Sequence, residues 1–172
     1  ALFLVPQSLF KLHPDDDRRI ARVLAAAKGS RVVAFAGRHP KLTAAWRARL
    51  DRELDAGGVD AGRVVVLPQV DHDDYLRINL ACDAMLDSVR WSGGNTSLDA
   101  LACGLPIVTL PGRFMRGRQS AGMLALMGVE ELVARDTDDY VRIAAAVADD
   151  GARRAGLAQR IRDARASIFD DS

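Results

Sequence analysis

Short, unbroken apolar runs alternate along this chain with longer segments whose apolar residues recur every three or four positions. The runs LFLV at 2–5, RVVAFAG at 31–37, RVVVLP at 63–68, AMLD at 84–87 and PIVTL at 106–110 read as buried strands. ELVA at 131–134 reads as a short sixth strand or an extended connection. Between them the pattern is helical. Residues 14–30 open on Pro14 and an acidic turn suited to a helix dipole, and stop at Gly29. Residues 40–58 place Leu42, Ala45, Trp46, Leu50 and Leu54 on one face and end at a glycine pair. Residues 72–82 form a short helix with Asp71 as its N-cap. Residues 92–104 are a glycine-rich turn leading into a helix, and 117–128 a helix ended by Gly128. The stretches 136–150 and 152–169 read as closing helices.

Continuous apolar strands separated by helices are the pattern of a parallel sheet covered on both faces. The expected architecture is α/β: a single Rossmann-like domain with right-handed crossovers and no internal repeat.

The composition agrees. The chain has 172 residues, 49% of them hydrophobic and 27% charged, with a net charge of +1. That length supports a core without metal or disulfide staples. The charge balance argues against a nucleic-acid binder. Arginine outnumbers lysine 21 to 3 and aspartate outnumbers glutamate 20 to 3, which reads as coding bias and makes Lys11 easier to single out. Cys82 and Cys103 lie in alanine-rich runs outside any CxxC pair, so they read as buried reduced thiols rather than zinc ligands. No apolar run has the length of a membrane span, and no basic leader precedes the opening residues. The expectation is a cytoplasmic protein that makes no membrane contact. An apolar start without Met suggests a fragment of a longer chain.

In an open parallel sheet, ligands bind beyond the carboxyl ends of the strands. The sharpest segment there is SGGNTSLDALACGLPIVTLPG at 92–112. Gly93 and Gly94 let backbone approach a ligand closely. Asn95, Thr96 and Ser97 open a helix whose free N–H groups suit an anion. Asp99 lies one turn further on, where its carboxylate can accept from ribose hydroxyls. The competing reading is an ordinary capping sequence, with Asn95 or Thr96 as the cap. Neither GxGxxG after the first strand nor GxxxxGK[ST] is present, which disfavours a dinucleotide enzyme or a P-loop nucleotidase. DDD at 15–17 reads as a helix start rather than a metal motif, and no metal or cofactor is expected.

Three segments carry a resemblance: PQSLFKLHPD, PQVDHDDYLRINLACDAMLD and SGGNTSLDALACGLPIVTLPG. Together they resemble the C-terminal half of the catalytic region of glycosyltransferase family 41. These are the O-linked N-acetylglucosamine transferases and SPINDLY-like proteins, here of the bacterial tetratricopeptide-repeat type. The likeness runs from Leu2 to about Phe169 and implies the C-terminal lobe of a two-domain (GT-B) enzyme.

The resemblance also implies roles. Lys11 matches the lysine that meets the sugar-nucleotide diphosphate, where an ammonium neutralises charge on the departing group. Gln7 or Ser8 matches a polar residue near the same diphosphate. Val70 and His72 match the segment framing the uracil base. His72 stands where animal members carry Lys, and Tyr75 where they carry His. Gly94 replaces a His that opens the phosphate-binding turn, Asn95 and Thr96 match the two Thr that follow, and Asp99 matches the ribose-binding aspartate. Arg118 matches a basic residue in the loop after the fifth strand. His13 and His39 have no matching context.

The expected function is therefore the donor lobe of an inverting glycosyltransferase, with UDP-N-acetylglucosamine as donor and protein Ser/Thr as acceptor. The catalytic histidine and the repeats that hold the protein acceptor belong to the N-terminal half in this family, so the isolated lobe is expected to be inactive. The alternatives are another donor such as GDP-fucose, a glycan acceptor, or a non-catalytic scaffold module of a repeat protein.

Overall fold

The computed structural model describes residues 1–169. Five strands form one sheet: β1 (Leu2–Val5), β2 (Arg31–Phe35), β3 (Val64–Leu67), β4 (Ala84–Leu86) and β5 (Ile107–Val108). Their order is β3-β2-β1-β4-β5, and every pair is parallel. Leu4 sits in register with Val33 on one side and Met85 on the other, so β1 is the central strand. Phe3 and Leu4 are accordingly fully buried.

The sheet grows from β1 through β2 to β3, then returns past β1 to add β4 and β5. The connections leaving β1 and β4 therefore diverge to opposite faces. The crevice between them, at the carboxyl ends, is the topological switch point of a Rossmann-like fold.

Helix α1 (Pro14–Ala26) packs against α2 (Pro40–Ala56) and α6 (Thr137–Asp149). Helix α3 (His72–Ala81) packs against α4 (Asn95–Ala102), which also meets α7 (Gly151–Asp163). With right-handed crossovers the two groups cover opposite faces. Helix α5 (Gln119–Leu126) follows β5, and α8 (Ala166–Phe169) ends the described chain. Among the described residues, no helix is long and apolar enough to cross a membrane.

Local chemistry explains the boundaries. His13 caps α1 in a reciprocal box: its Nδ1 accepts from Asp15 N at 3.2 Å, and Asp16 Oδ2 accepts from His13 N at 2.9 Å. The residues of the acidic turn do more than face a dipole. Asp16 is buried and also accepts from Arg19 and from Val89 N, tying α1 to the segment after β4. Asp17 is fully buried and accepts from Trp46 Nε1 at 3.0 Å and from Arg49, which fastens α2 onto α1.

Several expectations are corrected. Ala45 is exposed; the buried face of α2 is Trp46, Leu50 and Leu54, with Leu42 at its edge. Residues 131–134 make no strand. A 3-10 turn at Glu130–Leu132 precedes a single parallel bridge from Val133 to Thr109, because β5 is too short to carry another strand. The last helical stretch breaks in two between Asp163 and Ala166. Cys82 and Cys103 are free but only half-buried, and burial pushes the Cys82 thiol up to about 12.

Candidate functional site

Beyond β1 the chain runs through Pro6 into a 3-10 turn at Leu9–Lys11. Leu9 anchors that turn in the core while Phe10 stands 70% exposed. The structure separates the two polar candidates upstream. Gln7 is buried, donating from Nε2 to the Trp91 carbonyl at 2.7 Å and accepting from Ser8 N at 3.1 Å. Its amide is thus committed inside the protein, and Ser8 is the exposed side chain. Lys11 Nζ lies 4.8 Å from the centre of the Trp91 ring.

Beyond β4 the chain makes a tight turn over a buried carboxylate. Asp87 Oδ2 accepts from Ser92 Oγ at 2.6 Å and Thr109 Oγ1 at 2.8 Å, and its Oδ1 accepts from Gly93 N at 2.9 Å. Ser92 Oγ in turn accepts from Ser120 N at 3.0 Å, and the Ser120 and Ser97 hydroxyls are 2.8 Å apart. The network joins the ends of β4 and β5 to the starts of α4 and α5. Burial pushes the Asp87 carboxyl above the usual carboxylate range, while the hydrogen bonds from Ser92, Gly93 and Thr109 oppose that shift.

Gly93 is needed here for a reason different from the expected one. A Cβ on it would fall 2.3 Å from Ser97 Oγ and 2.7 Å from Thr96 Oγ1. Gly93 lets the turn press onto its own helix, and its N–H is already given to Asp87. Gly94, not Asn95 or Thr96, occupies the N-cap position of α4. Among the described residues no side chain caps that helix; Ser97 N and Leu98 N donate to the Gly94 carbonyl, which leaves the Asn95 and Thr96 N–H groups for a ligand. Asn95 is exposed, and Thr96 and Asp99 are partly exposed.

A cavity of about 590 Å³ opens at the carboxyl ends of β1, β2 and β3. That volume suits a nucleoside-sized ligand. Among its lining residues are Gln7, Ser8, Val70, His72 and Tyr75. The Tyr75 ring lies 5.7 Å from that of Phe35 and 6.3 Å from that of His72, with the His72 pair closer to parallel. The Tyr75 hydroxyl is buried with no hydrogen-bond partner among the described residues. Burial, with a smaller contribution from the Asp99 charge, pushes that phenol up to about 12.

Lys11, Gly93, Gly94, Asn95, Thr96 and Asp99 lie outside this lining, around the β4–α4 turn. Two links join the groups: the bond from Gln7 to Trp91, and the packing of α3 on α4 that brings Tyr75 within reach of the Asp99 charge. Arg118 is exposed, donates to the Gly112 carbonyl at 3.2 Å and is not in the cavity wall.

The cavity also takes in Phe10, Phe35, Arg38, His39 and Gln69. The sequence pattern assigns no role to Arg38 or Gln69 and leaves His39 without a matching context. Asp87 was likewise missed. Its signal was an aspartate at a strand terminus followed by Ser88 and Ser92. Among the described residues, no group of three or more His, Cys, Asp or Glu is arranged to hold a metal ion.

Comparisons with known proteins bear on the fold and the family. An O-GlcNAc transferase mutant from Thermobaculum terrenum superposes with a TM-score of 0.88 at 30% identity, covering 98% of this chain and 32% of that one. Anabaena HepE, solved with UDP and glucose, gives a TM-score of 0.73 at 17% identity over 98% of this chain and 44% of that one, a likeness of fold alone. The protein from Solanum lycopersicum named "Probable UDP-N-acetylglucosamine--peptide N-acetylglucosaminyltransferase SPINDLY" is 30% identical over 158 residues. The Caenorhabditis elegans UDP-N-acetylglucosamine--peptide N-acetylglucosaminyltransferase is 31% identical over 115 residues, 66% of this chain and 10% of that protein. The chain covers 91% of its own length in the tomato match but spans only 17% of that relative. The family model of glycosyl transferase family 41 matches residues 5–170. On that match, spanning nearly every residue, the chain belongs to glycosyl transferase family 41.

Proposed function

We propose that these residues are the donor-binding lobe of a glycosyltransferase that moves N-acetylglucosamine from UDP-N-acetylglucosamine to Ser or Thr of a protein. The observation that carries the reading is three features along the carboxyl edge of one sheet: the cavity beyond β1, β2 and β3, and beside it the start of α4 without a side-chain cap and Lys11. The names and fold of the relatives support it.

In this reading the base lies in the cavity against Tyr75 and His72, framed by Val70. Asp99 accepts from the ribose hydroxyls. The diphosphate rests on the open N–H groups of α4 beside Asn95 and Thr96, with Ser8 at its edge, where the helix dipole favours negative charge. Lys11 meets the outer phosphate.

The reaction then runs as an in-line displacement. The acceptor oxygen forms a bond to the anomeric carbon while the bond from that carbon to the diphosphate oxygen breaks. The electron pair leaves on the diphosphate, where Lys11 and the α4 terminus stabilise it. The acceptor proton passes to a base outside these residues, and the acceptor is held by segments outside them.

Transfer to an acceptor peptide, assayed in the full-length gene product, tests this reading. K11A is expected to lower kcat by about 100-fold or more, the scale of losing one leaving-group stabiliser. The 172-residue chain by itself is expected to transfer nothing. Robust turnover by the chain alone, or full activity of K11A, would overturn the assignment.

A further inference from the structure

Trp91 is the point where the connections leaving β1 and β4 are joined. Its carbonyl accepts from Gln7 Nε2 at 2.7 Å and from Ser88 Oγ at 2.6 Å. The residue is 43% exposed, and its ring centre lies 4.8 Å from Lys11 Nζ. One segment therefore reaches Trp91 twice: Gln7 through the backbone and Lys11 through the aromatic face. Trp91 also stands two residues before Gly93, whose N–H is fixed on Asp87. The ring is thus mounted on the turn that opens α4.

Among the described residues, no carboxylate forms an ion pair with Lys11. A carboxylate would hold the ammonium but cancel its charge toward a ligand. An aromatic face holds it through the ring quadrupole and leaves the charge to act outward.

We propose that Trp91 is a positioning residue that sets where the Lys11 ammonium sits relative to the start of α4. Its effect on ligand binding rests on the donor-lobe reading given above; its effect on Lys11 does not. The Phe10 ring also lies 5.8 Å from Lys11 Nζ, but it belongs to the same 3-10 turn as Lys11, so of the two rings only Trp91 ties the ammonium to the turn that opens α4. Arg116 also approaches this ring, its guanidinium carbon 5.7 Å from the centre, but it lies closer to Phe114, at 4.9 Å. R116A therefore serves as the control for loss of a neighbouring cation.

The test uses W91L and W91F, which both keep the backbone carbonyl and hence the bonds from Gln7 and Ser88. The first readout is the ratio of UMP to UDP dissociation constants, which isolates the outer phosphate. W91L is expected to reduce that ratio about three- to tenfold with UMP affinity unchanged, while W91F and R116A stay within about twofold of wild type. A merely structural role would weaken UMP and UDP together, and that result, or an unchanged ratio in W91L, overturns the proposal. The second readout needs no nucleotide. Acylation of Lys11, followed by mass spectrometry against Lys28 and Lys41 as internal references, is expected to speed up in W91L and not in W91F. An unchanged relative rate overturns the proposal. If wild type binds neither nucleotide, the donor-lobe reading fails, and the acylation result alone decides the role of Trp91.

Discussion

The Asp87 carboxylate and the Gly93 amide are 2.9 Å apart in a buried hydrogen bond that fixes the turn from β4 into α4. Two hydroxyls, from Ser92 and Thr109, share the same carboxylate. D87A would leave these three donors without their acceptor, at about 1–3 kcal/mol for each group that stays unsatisfied. D87N keeps the volume and one acceptor oxygen, so it should cost less. Urea unfolding of both variants checks the ranking.

The pH dependence of that cost has a definite sign. Burial raises the Asp87 carboxyl in the native state. A raised native pKa contributes stability that is complete below the ordinary carboxylate value of about 3.9 and is lost as pH climbs through the native value. D87N carries no such titration. The stability deficit of D87N is therefore expected to shrink as pH rises above about 4, measured by urea midpoints across the acid range. A deficit that grows with pH would contradict the assignment.

The two adjacent glycines should respond differently to alanine. At Gly93 the new Cβ would meet Ser97 Oγ, Thr96 Oγ1 and Met85 Cε at 2.3, 2.7 and 3.2 Å. G93A is expected to destabilise by about 1–3 kcal/mol and to shift the start of α4. At Gly94 the nearest atom among the described residues is the far end of the Gln119 side chain, at 2.9 Å, which can swing aside. G94A should cost under about 1 kcal/mol. Thermal unfolding with nucleotide titration separates the two.

Tyr75 combines a stacking ring with an orphaned hydroxyl. Removing that hydroxyl takes away a buried group with no partner, so Y75F is expected to be neutral or stabilising by up to about 1 kcal/mol. Y75A removes the stacking face and should weaken uridine-nucleotide binding by about 1–3 kcal/mol, the usual worth of one base on an aromatic ring. Equal nucleotide affinity in Y75F and Y75A would remove Tyr75 from the site.

Much of the fold was legible because apolar runs and glycine stops are local signals. β1 spans the expected residues, and Gly128 follows the C-cap of α5 as expected, whereas α1 stops at Ala26, three residues before the expected stop at Gly29. The failures were tertiary. Nothing in the spacing says that β5 stops at two residues, or that Ala45 turns outward while Trp46 turns in to Asp17. In the site, the glycine pair and the acidic residue of α4 stood out, whereas Asp87 did not. An aspartate that ends a strand looks like a turn residue until the hydroxyls of Ser92 and Thr109 are seen converging on it. Likewise the choice between Gln7 and Ser8 depends on a bond across 84 positions to Trp91, which no local pattern reports. Arg38, His39 and Gln69 reach the cavity only because β2 and β3 lie side by side.

Titration calorimetry of this chain with UDP, compared with UMP and GDP, tests the central claim most directly. The account predicts saturable UDP binding that weakens for UMP and in both K11A and D99A, with GDP the poorer ligand. No saturable binding of UDP, or UDP affinity untouched by K11A and D99A, would contradict it.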